Sequence, residues 1–528
     1  MTKSVWWKQG VIYQIYPRSF QDSNGDGVGD LTGIIERIDY LSWLGIDAIW
    51  ISPIYPSPMI DFGYDVKDYC DVDSLFGSLH DFDRLISAAH KRQIKVILDF
   101  VPNHTSDLHP WFVESRASRS NDRRDWYIWR DGKANGSPPN NWVSQFGGPA
   151  WTLDPKTDQY YLHSFLPEQP DLNWRNSSVR SSMYDVLRFW LDRGVDGFRV
   201  DVIWLLIKDA QLRDNPPNLN YRSTDAAINQ FVPMYNADQP ETQEVVAEMR
   251  SVLDRYEDRV LIGEIYLPIE RLVAYYGKNL SGAHLPFNFQ LIHTAWTASA
   301  VAKLVSEYEA ALPQGGWQNW VLGNHDQPRI AGRVGSSQAR IAAMLLLTLR
   351  GTPTMYYADE LGIGRVRIPS DAIQDPWEKR ERGLGLSRDP SRTPFQWDAT
   401  SHAGFSNGRP WLPVSSDYKT CNVESLRGDA SSLLCLYRQL LLIRRRYSAL
   451  NSGEFTLIRV AEDLLIYERQ ARGERILVCL NFGNSHQTVP DQNFTGSTLL
   501  ASTHIDRKGL NSDLVLRPNE GLTILMGS

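Results

Sequence analysis

The sequence predicts an α/β fold: a (β/α)8 (TIM) barrel with a loop-rich subdomain inserted after strand 3 and an antiparallel β-sandwich domain closing the chain. Three observations predict it. Short β-rich runs alternate with stretches of helical periodicity, the order expected of repeated βα units. Three of the runs stop abruptly on a carboxylate: Gly197-Phe198-Arg199-Val200-Asp201, Ile262-Gly263-Glu264 and Leu322-Gly323-Asn324-His325-Asp326. Buried strands delivering acids to one rim are how a parallel barrel builds a carboxylate site. Beyond residue 447 the pattern changes to period-two strands, as in an antiparallel sheet.

The expected barrel strands are Val11–Tyr16, Ala48–Ser52, Val96–Val101, Gly197–Val200, Val260–Glu264, His284–Asn288, Trp320–Gly323 and Thr354–Tyr357. Amphipathic stretches separate them: Leu31–Leu44, Leu79–Arg92, Arg180–Asp192, Gln243–Tyr256 and Gln338–Leu349. The barrel therefore takes residues 1–103 and 174–447. Residues 104–173, rich in Trp, Pro, Gly, Asn and Ser, form the inserted subdomain. A second excursion, about 358–428, follows strand 8. Insertions of this length in a compact fold are usually functional, because loops on the active rim carry specificity. Residues 448–528 carry the terminal strands, including Phe455–Val460, Leu464–Glu468, Ile476–Phe482, Thr498–Ala501, Leu514–Leu516 and Leu522–Met526.

A chain of 528 residues exceeds the ~250–300 at which a single core stops growing, so smaller domains are expected beside a large one. A net charge of −7 with no basic run excludes a nucleic-acid partner. The longest apolar run, Ala342–Leu349, falls far short of the ~20 residues a spanning helix needs, which excludes a membrane one. Cys70, Cys421, Cys435 and Cys479 have neither metal nor redox spacing and fit reduced thiols in a cytoplasmic protein. The oligomeric state is not written in the sequence.

Hydrolysis of an acetal needs two carboxyls in different states, one ionised beside the anomeric carbon and one protonated beside the leaving oxygen. Asp201 suits the first role, because Arg199 lies two residues earlier on the same side of the strand and favours its charged form. Glu264 suits the second, since burial and neighbouring acids raise a carboxyl's pKa. Asp326, beside His325, is placed to bind sugar hydroxyls, with His104 from Asp99-Phe100-Val101-Pro102-Asn103-His104 as a further donor.

These segments, with Gln169-Pro170-Asp171-Leu172-Asn173, resemble in order and spacing the signature regions of the α-amylase superfamily, glycoside hydrolase family 13. The stretch from Trp6-Trp7 through Tyr13-Gln14-Ile15-Tyr16-Pro17-Arg18-Ser19-Phe20, and Arg392-Thr393-Pro394-Phe395-Gln396-Trp397, are most similar to its α-glucosidase and oligo-1,6-glucosidase branch. The resemblance implies Asp201 as nucleophile, Glu264 as general acid/base and Asp326 as transition-state stabiliser, with Arg199, His104 and His325 on the sugar. It implies that Asp61 and Tyr64 close the glucose subsite and that Arg392 pairs with Asp61 at its blind end. A closed end means removal of single terminal glucoses from di- and short oligosaccharides, with retention and some transglucosylation. It further implies a structural Ca2+ or Mg2+ held by Asp22, Asn24, Asp26, the Val28 carbonyl and Asp30. The loop itself starts like an EF-hand but has Gly33 where that motif needs a bidentate Glu.

Linkage is read two ways. Val202 after the nucleophile resembles enzymes of α-1,6 bonds, whereas Lys208–Pro217 is more like bacterial α-glucosidases acting on short substrates. The alternatives are a sugar isomerase of the sucrose isomerase or trehalose synthase type and a non-catalytic scaffold like the transporter heavy chains. Gln327-Pro328-Arg329 replaces the charged cluster of sucrose isomerases, and all three acids of a catalyst are present.

Overall fold

The structure, a computed structural model, describes residues 5–490, 494–510 and 513–527. Eight parallel strands close a barrel: β1 (Ile12–Ile15), β2 (Ala48–Ile51), β3 (Lys95–Phe100), β4 (Gly197–Val200), β5 (Val260–Ile265), β6 (Leu285–Asn288), β7 (Asn319–Val321) and β8 (Thr352–Tyr356). Each pairs with its neighbour in sequence, and β8 returns to β1 with Ile12 opposite Thr354. These strands are buried on both faces, which is why they read as continuous apolar runs. Inward side chains, among them Ile12, Trp50, Ile97, Val260, Ile262 and Phe287, fill the barrel as a packed core. Outward ones meet the surrounding helices through residues such as Leu85, Leu187, Trp190, Val245 and Met249.

The helices begin and end where local chemistry dictates. Leu79–Lys91 starts on a capping box in which Ser78 and Asp81 satisfy each other's backbone N–H groups. The single helix expected over 31–44 is two, Leu31–Glu36 and Ile38–Leu44. The break falls at Arg37, whose guanidinium bonds Gln21 and lies on the Trp397 ring. A helix the periodicity did not suggest, Ala298–Ala311, fills the crossover from β6 to β7 behind the N-cap Thr297. Among the described residues no helix is long and apolar enough to cross a membrane.

The stretch 104–173 is more ordered than its composition suggests. Trp129–Arg130, Gln159–Leu162 and Trp151–Asp154 form a three-stranded antiparallel sheet over a small core of Trp142, Trp151 and Leu162. An antiparallel bridge between His104 and Asp171 joins its entry to its exit. At the far end of the chain a five-stranded antiparallel sheet runs in the order Glu454–Ala461, Leu464–Ala471, Glu474–Asn481, Gly521–Leu525, Thr498–Ser502, beside the two-stranded pair Gln487–Thr488 and Val515–Leu516. It docks on the helix Ser336–Thr348, where Arg469 donates to the Thr348 carbonyl.

Candidate active site

The C-terminal ends of β3, β4, β5 and β7 bring Asp99, Arg199, Asp201, Glu264 and Asp326 to one rim. Register places Asp99 opposite Arg199 and Arg199 opposite Ile262, so Asp201 and Glu264 emerge beside each other. Close approach of β4 and β5 depends on Gly197: a Cβ there would lie 2.4 Å from the Val260 carbonyl oxygen. The fully buried Arg199 guanidinium bridges three acids, at 2.7 Å from Asp99, 2.8 Å from Asp201 and 2.5 Å from Glu264, and sits over the Trp50 ring. Directly after Asp201 the chain turns through a left-handed Val202 (φ 38°, ψ 46°), a conformation that costs a β-branched residue of order 1–3 kcal/mol. The turn aims the Val202 N–H at Glu264 Oε2, 2.9 Å away.

Burial pushes Asp201 well above the ordinary carboxylate range; Arg199 pulls it down, and Glu264, Asp99 and Asp326 push it further up. Burial raises Glu264 too, against the pull of Arg199 and with the push of Asp326. Arg199 acts on Asp201 in the expected direction, favouring its charged form, but one guanidinium is shared among three carboxyls, and burial and the neighbouring acids act against it. Like charges in a dry site disfavour one another's ionisation, so both carboxyls are raised. Asp326 moves the other way. Burial alone would raise it, yet His325, Arg388, Arg392 and Arg199 hold it below the usual range.

The blind end is built differently from the expected pairing. Arg388, not Arg392, makes the ion pair with Asp61, at 2.8 Å, and the same guanidinium reaches Asp375 at 2.8 Å and Asp326 at 3.3 Å. Arg392 donates instead to Asp326 at 2.8 Å and to the His325 carbonyl at 2.9 Å. The two arginines flank the 3-10 turn Asp389–Ser391, which sends their side chains to different acids. Tyr64 stacks on His325 with a 5° interplanar angle, donates to Asp99 and lies 2.7 Å from His325 Nε2. Burial pushes His325 down to about 3 and His104 down to about 4, so both are neutral donors and acceptors at ordinary pH.

These groups line a cavity of about 510 Å3, within the range of small-molecule sites. Asp61, Tyr64, His104, Asp201, Glu264 and Asp326 all face it, while Arg199, His325 and Arg392 stand behind as partners. Sequence reasoning did not single out Phe146, Phe165, Tyr266, Trp377 or Arg388, which also line it. Gln169, seen only as part of a motif, donates to Asp61 at 3.3 Å.

The loop from Asp22 to Asp30 lies apart from this cavity. Asp22 accepts from the N–H groups of Asn24, Gly25 and Gly27, Asp26 from Val28, and Asp30 from Ser23 and Gly33. Its donors are all oxygens, which fits a hard divalent cation. Each carboxylate also serves a backbone N–H, and among the described residues no three His, Cys, Asp or Glu side chains converge as a ready-made ligand set.

Two carboxyls held by one guanidinium at the rim of a (β/α)8 barrel, with a third acid beside them in one cavity, define a glycoside hydrolase. The chain belongs to the α-amylase family: the Alpha amylase, catalytic domain model matches residues 14–453. It is 42% identical to a probable alpha-glucosidase of Rhizobium meliloti (strain 1021), over 92% of this chain and 90% of the relative. It is 38% identical to an oligo-1,6-glucosidase of Parageobacillus thermoglucosidasius, over 98% of both. The crystal structure of the alpha-glucosyl transfer enzyme XgtA superposes with a TM-score of 0.93 at 39% identity, covering 99% of this chain and 100% of that one. The chain is therefore a glucosidase of glycoside hydrolase family 13, in the α-glucosidase and oligo-1,6-glucosidase branch.

Proposed function

We propose that the protein is a retaining, exo-acting α-glucosidase of di- and short oligosaccharides that also transfers glucose to sugar acceptors. The observation that supports this reading is the Arg388–Asp61 ion pair, which lines the cavity beside Asp326. A terminal glucose fits against such a wall and an internal unit of a polymer does not. In the working form Asp201 is ionised and Glu264 carries a proton. Asp201 attacks the anomeric carbon as Glu264 protonates the departing glycosidic oxygen, giving a β-glucosyl ester and a free leaving sugar. Glu264, now a carboxylate, takes a proton from water or from an acceptor hydroxyl, whose oxygen displaces Asp201 and restores the α configuration. Asp326, ionised and fixed by Arg388 and Arg392, binds hydroxyls of the distorted ring.

A panel of maltose, isomaltose, trehalose, sucrose and maltotriose tests this, with products followed by anomer-resolved NMR. Glucose released first as the α anomer, one unit at a time, supports the reading. Release of β-glucose, or rearrangement of sucrose or maltose into an isomer without release, contradicts it. We further propose that Asp22, Asn24, Asp26, the Val28 carbonyl and Asp30 hold a structural divalent ion. Chelation should then lower the melting temperature, and added Ca2+ or Mg2+ should restore it; indifference to chelator contradicts the ion.

A further inference from the structure

A substrate larger than one glucose extends from the acids toward solvent, so the lining of the cavity divides by exposure. Asp61, Tyr64, His104, Asp201 and Glu264 are buried and form its floor. Ile228 and Trp377 are half-buried and Asn229 is exposed, which places them at its mouth. Trp377 comes from the excursion after β8, and Ile228 and Asn229 from the 3-10 turn Ala227–Gln230 in the loop after β4. Behind Trp377 stands Phe146 of the inserted subdomain, with ring centroids 5.8 Å apart. None of these three pieces lies in a strand, yet one side chain touches all of them. Glu381 Oε2 accepts from the Trp377 indole N–H at 2.9 Å, and its Oε1 accepts from the Ala227 backbone N–H at 2.9 Å. The same carboxyl packs on Gly147, where a Cβ would come within 2.8 Å of it. Arg380, next to it, donates to the Phe146 and Gly147 carbonyls, each at 3.1 Å.

Both oxygens of Glu381 are thus committed to groups that carry the mouth. The turn Ala227–Gln230 has no side-chain cap of its own, and Glu381 supplies the acceptor that its first N–H lacks. The short helix bearing Trp377, Pro376–Arg380, starts on the N-cap Asp375, which Arg388 holds, and ends at Glu381. One turn of helix therefore runs from the ion pairs around Asp326 to the mouth. We propose that Glu381 is a positioning residue for the leaving sugar, and for the acceptor in transfer: it holds the Trp377 ring and the 227–230 turn at the spacing that receives a hexose beside the scissile bond. The inference rests on the glucosidase reading of the cavity. A pyranose presents a C–H face and a rim of hydroxyls, which an indole face and the Asn229 amide match. Without Glu381 the indole and the Ala227 N–H turn to water and the two sides of the mouth lose their common anchor. The acids on the floor keep their own partners, Arg199 for Asp201 and Glu264 and Arg392 for Asp326.

The test compares two donors. α-Glucosyl fluoride puts only a fluoride beyond the scissile bond, so it uses the floor and the acids but not the mouth, whereas maltose and isomaltose use both. Glu381→Ala should lower kcat/KM for the better disaccharide roughly tenfold, the scale of a lost charge-assisted hydrogen bond, and leave that for α-glucosyl fluoride within about twofold. With α-glucosyl fluoride as donor and methyl β-glucoside as acceptor, the ratio of transfer to hydrolysis should fall by a similar factor. Glu381→Gln offers one acceptor oxygen to two donors and should lie between wild type and Glu381→Ala; it carries the same comparison if the alanine variant does not fold. Equal losses on both donors would mean that Glu381 supports the acids in general, and an unchanged disaccharide rate would mean that the mouth does not need it; either result overturns the proposal. A wild type that turns over neither donor would sink the glucosidase reading itself, an outcome distinct from equal losses in an active enzyme.

Discussion

Replacing Arg388 with methionine takes one cation away from three carboxylates. Asp61 and Asp375 each lose a 2.8 Å ion pair and Asp326 a 3.3 Å one. Asp61 is 3% exposed and Asp375 fully buried, so water cannot replace the guanidinium. Removing one partner of a buried pair costs about 3–5 kcal/mol, because the other charge is left without compensation. Part of that cost falls on folding and part on binding the transition state. Arg388 also helps hold Asp326 ionised, so its removal should raise that carboxyl and weaken its grip on the ring hydroxyls. If about 3–4 kcal/mol reaches the chemical step, kcat/KM falls roughly 10²–10³-fold. The assay is steady-state hydrolysis of the preferred disaccharide beside thermal unfolding. A variant with kcat/KM within threefold of wild type and an unchanged melting temperature would refute the claim that this ion pair walls the subsite.

Gly197→Ala forces a Cβ to within 2.4 Å of the Val260 carbonyl oxygen, so β4 and β5 must separate. Overpacking of this kind costs about 1–3 kcal/mol, and because Asp201 and Glu264 ride on those strands kcat should fall too; unchanged urea stability and turnover would contradict the packing argument. His284, remote from the acids, is pushed down to about 3 by burial, then by Arg250 and Lys8, and accepts from the Leu261 N–H. The unfolded chain takes up a proton there near pH 6.5 and the folded one does not, so this stability is present above about 6.5 and lost as pH falls toward 3. His284→Asn keeps an acceptor but cannot titrate; the stability gap between pH 7.5 and 5 should narrow by about 2 kcal/mol, at about 1.4 kcal/mol per pH unit, and an unchanged gap refutes the assignment.

The barrel was legible because its strands are buried on both faces and so read as short apolar runs, each closed by a polar rim residue. Asp201, Glu264 and Asp326 stood out for the same reason: a carboxylate ending an apolar strand is conspicuous. What was not legible depended on three-dimensional direction. Arg388 and Arg392 are four residues apart, and only the 3-10 turn between them decides which one meets Asp61. The small sheet in 104–173 escaped notice because its strands are two to four residues long among turn-forming residues, too short to show alternation. Phe146 and Phe165 reach the cavity from that sheet's loops, where no periodicity marks them. Lys208 did leave a signal, a lone cation closing an apolar run just after the nucleophile, but its partners are Asn103, just before the inserted subdomain, and Asp171, near its end. Val202 was read for linkage alone; that its backbone turns left-handed to donate to Glu264 could be seen only in the structure.

The account stands on Asp201 as the atom that carries glucose between donor and acceptor. Incubation with 5-fluoro-α-glucosyl fluoride, which slows breakdown of a glucosyl ester, followed by peptide mass spectrometry, addresses it directly. The account predicts one fluoroglucosyl group on the peptide bearing Asp201, and none on that peptide in Asp201→Asn. A label on Glu264 or Asp326, or no label on an enzyme that turns the reagent over, would contradict it.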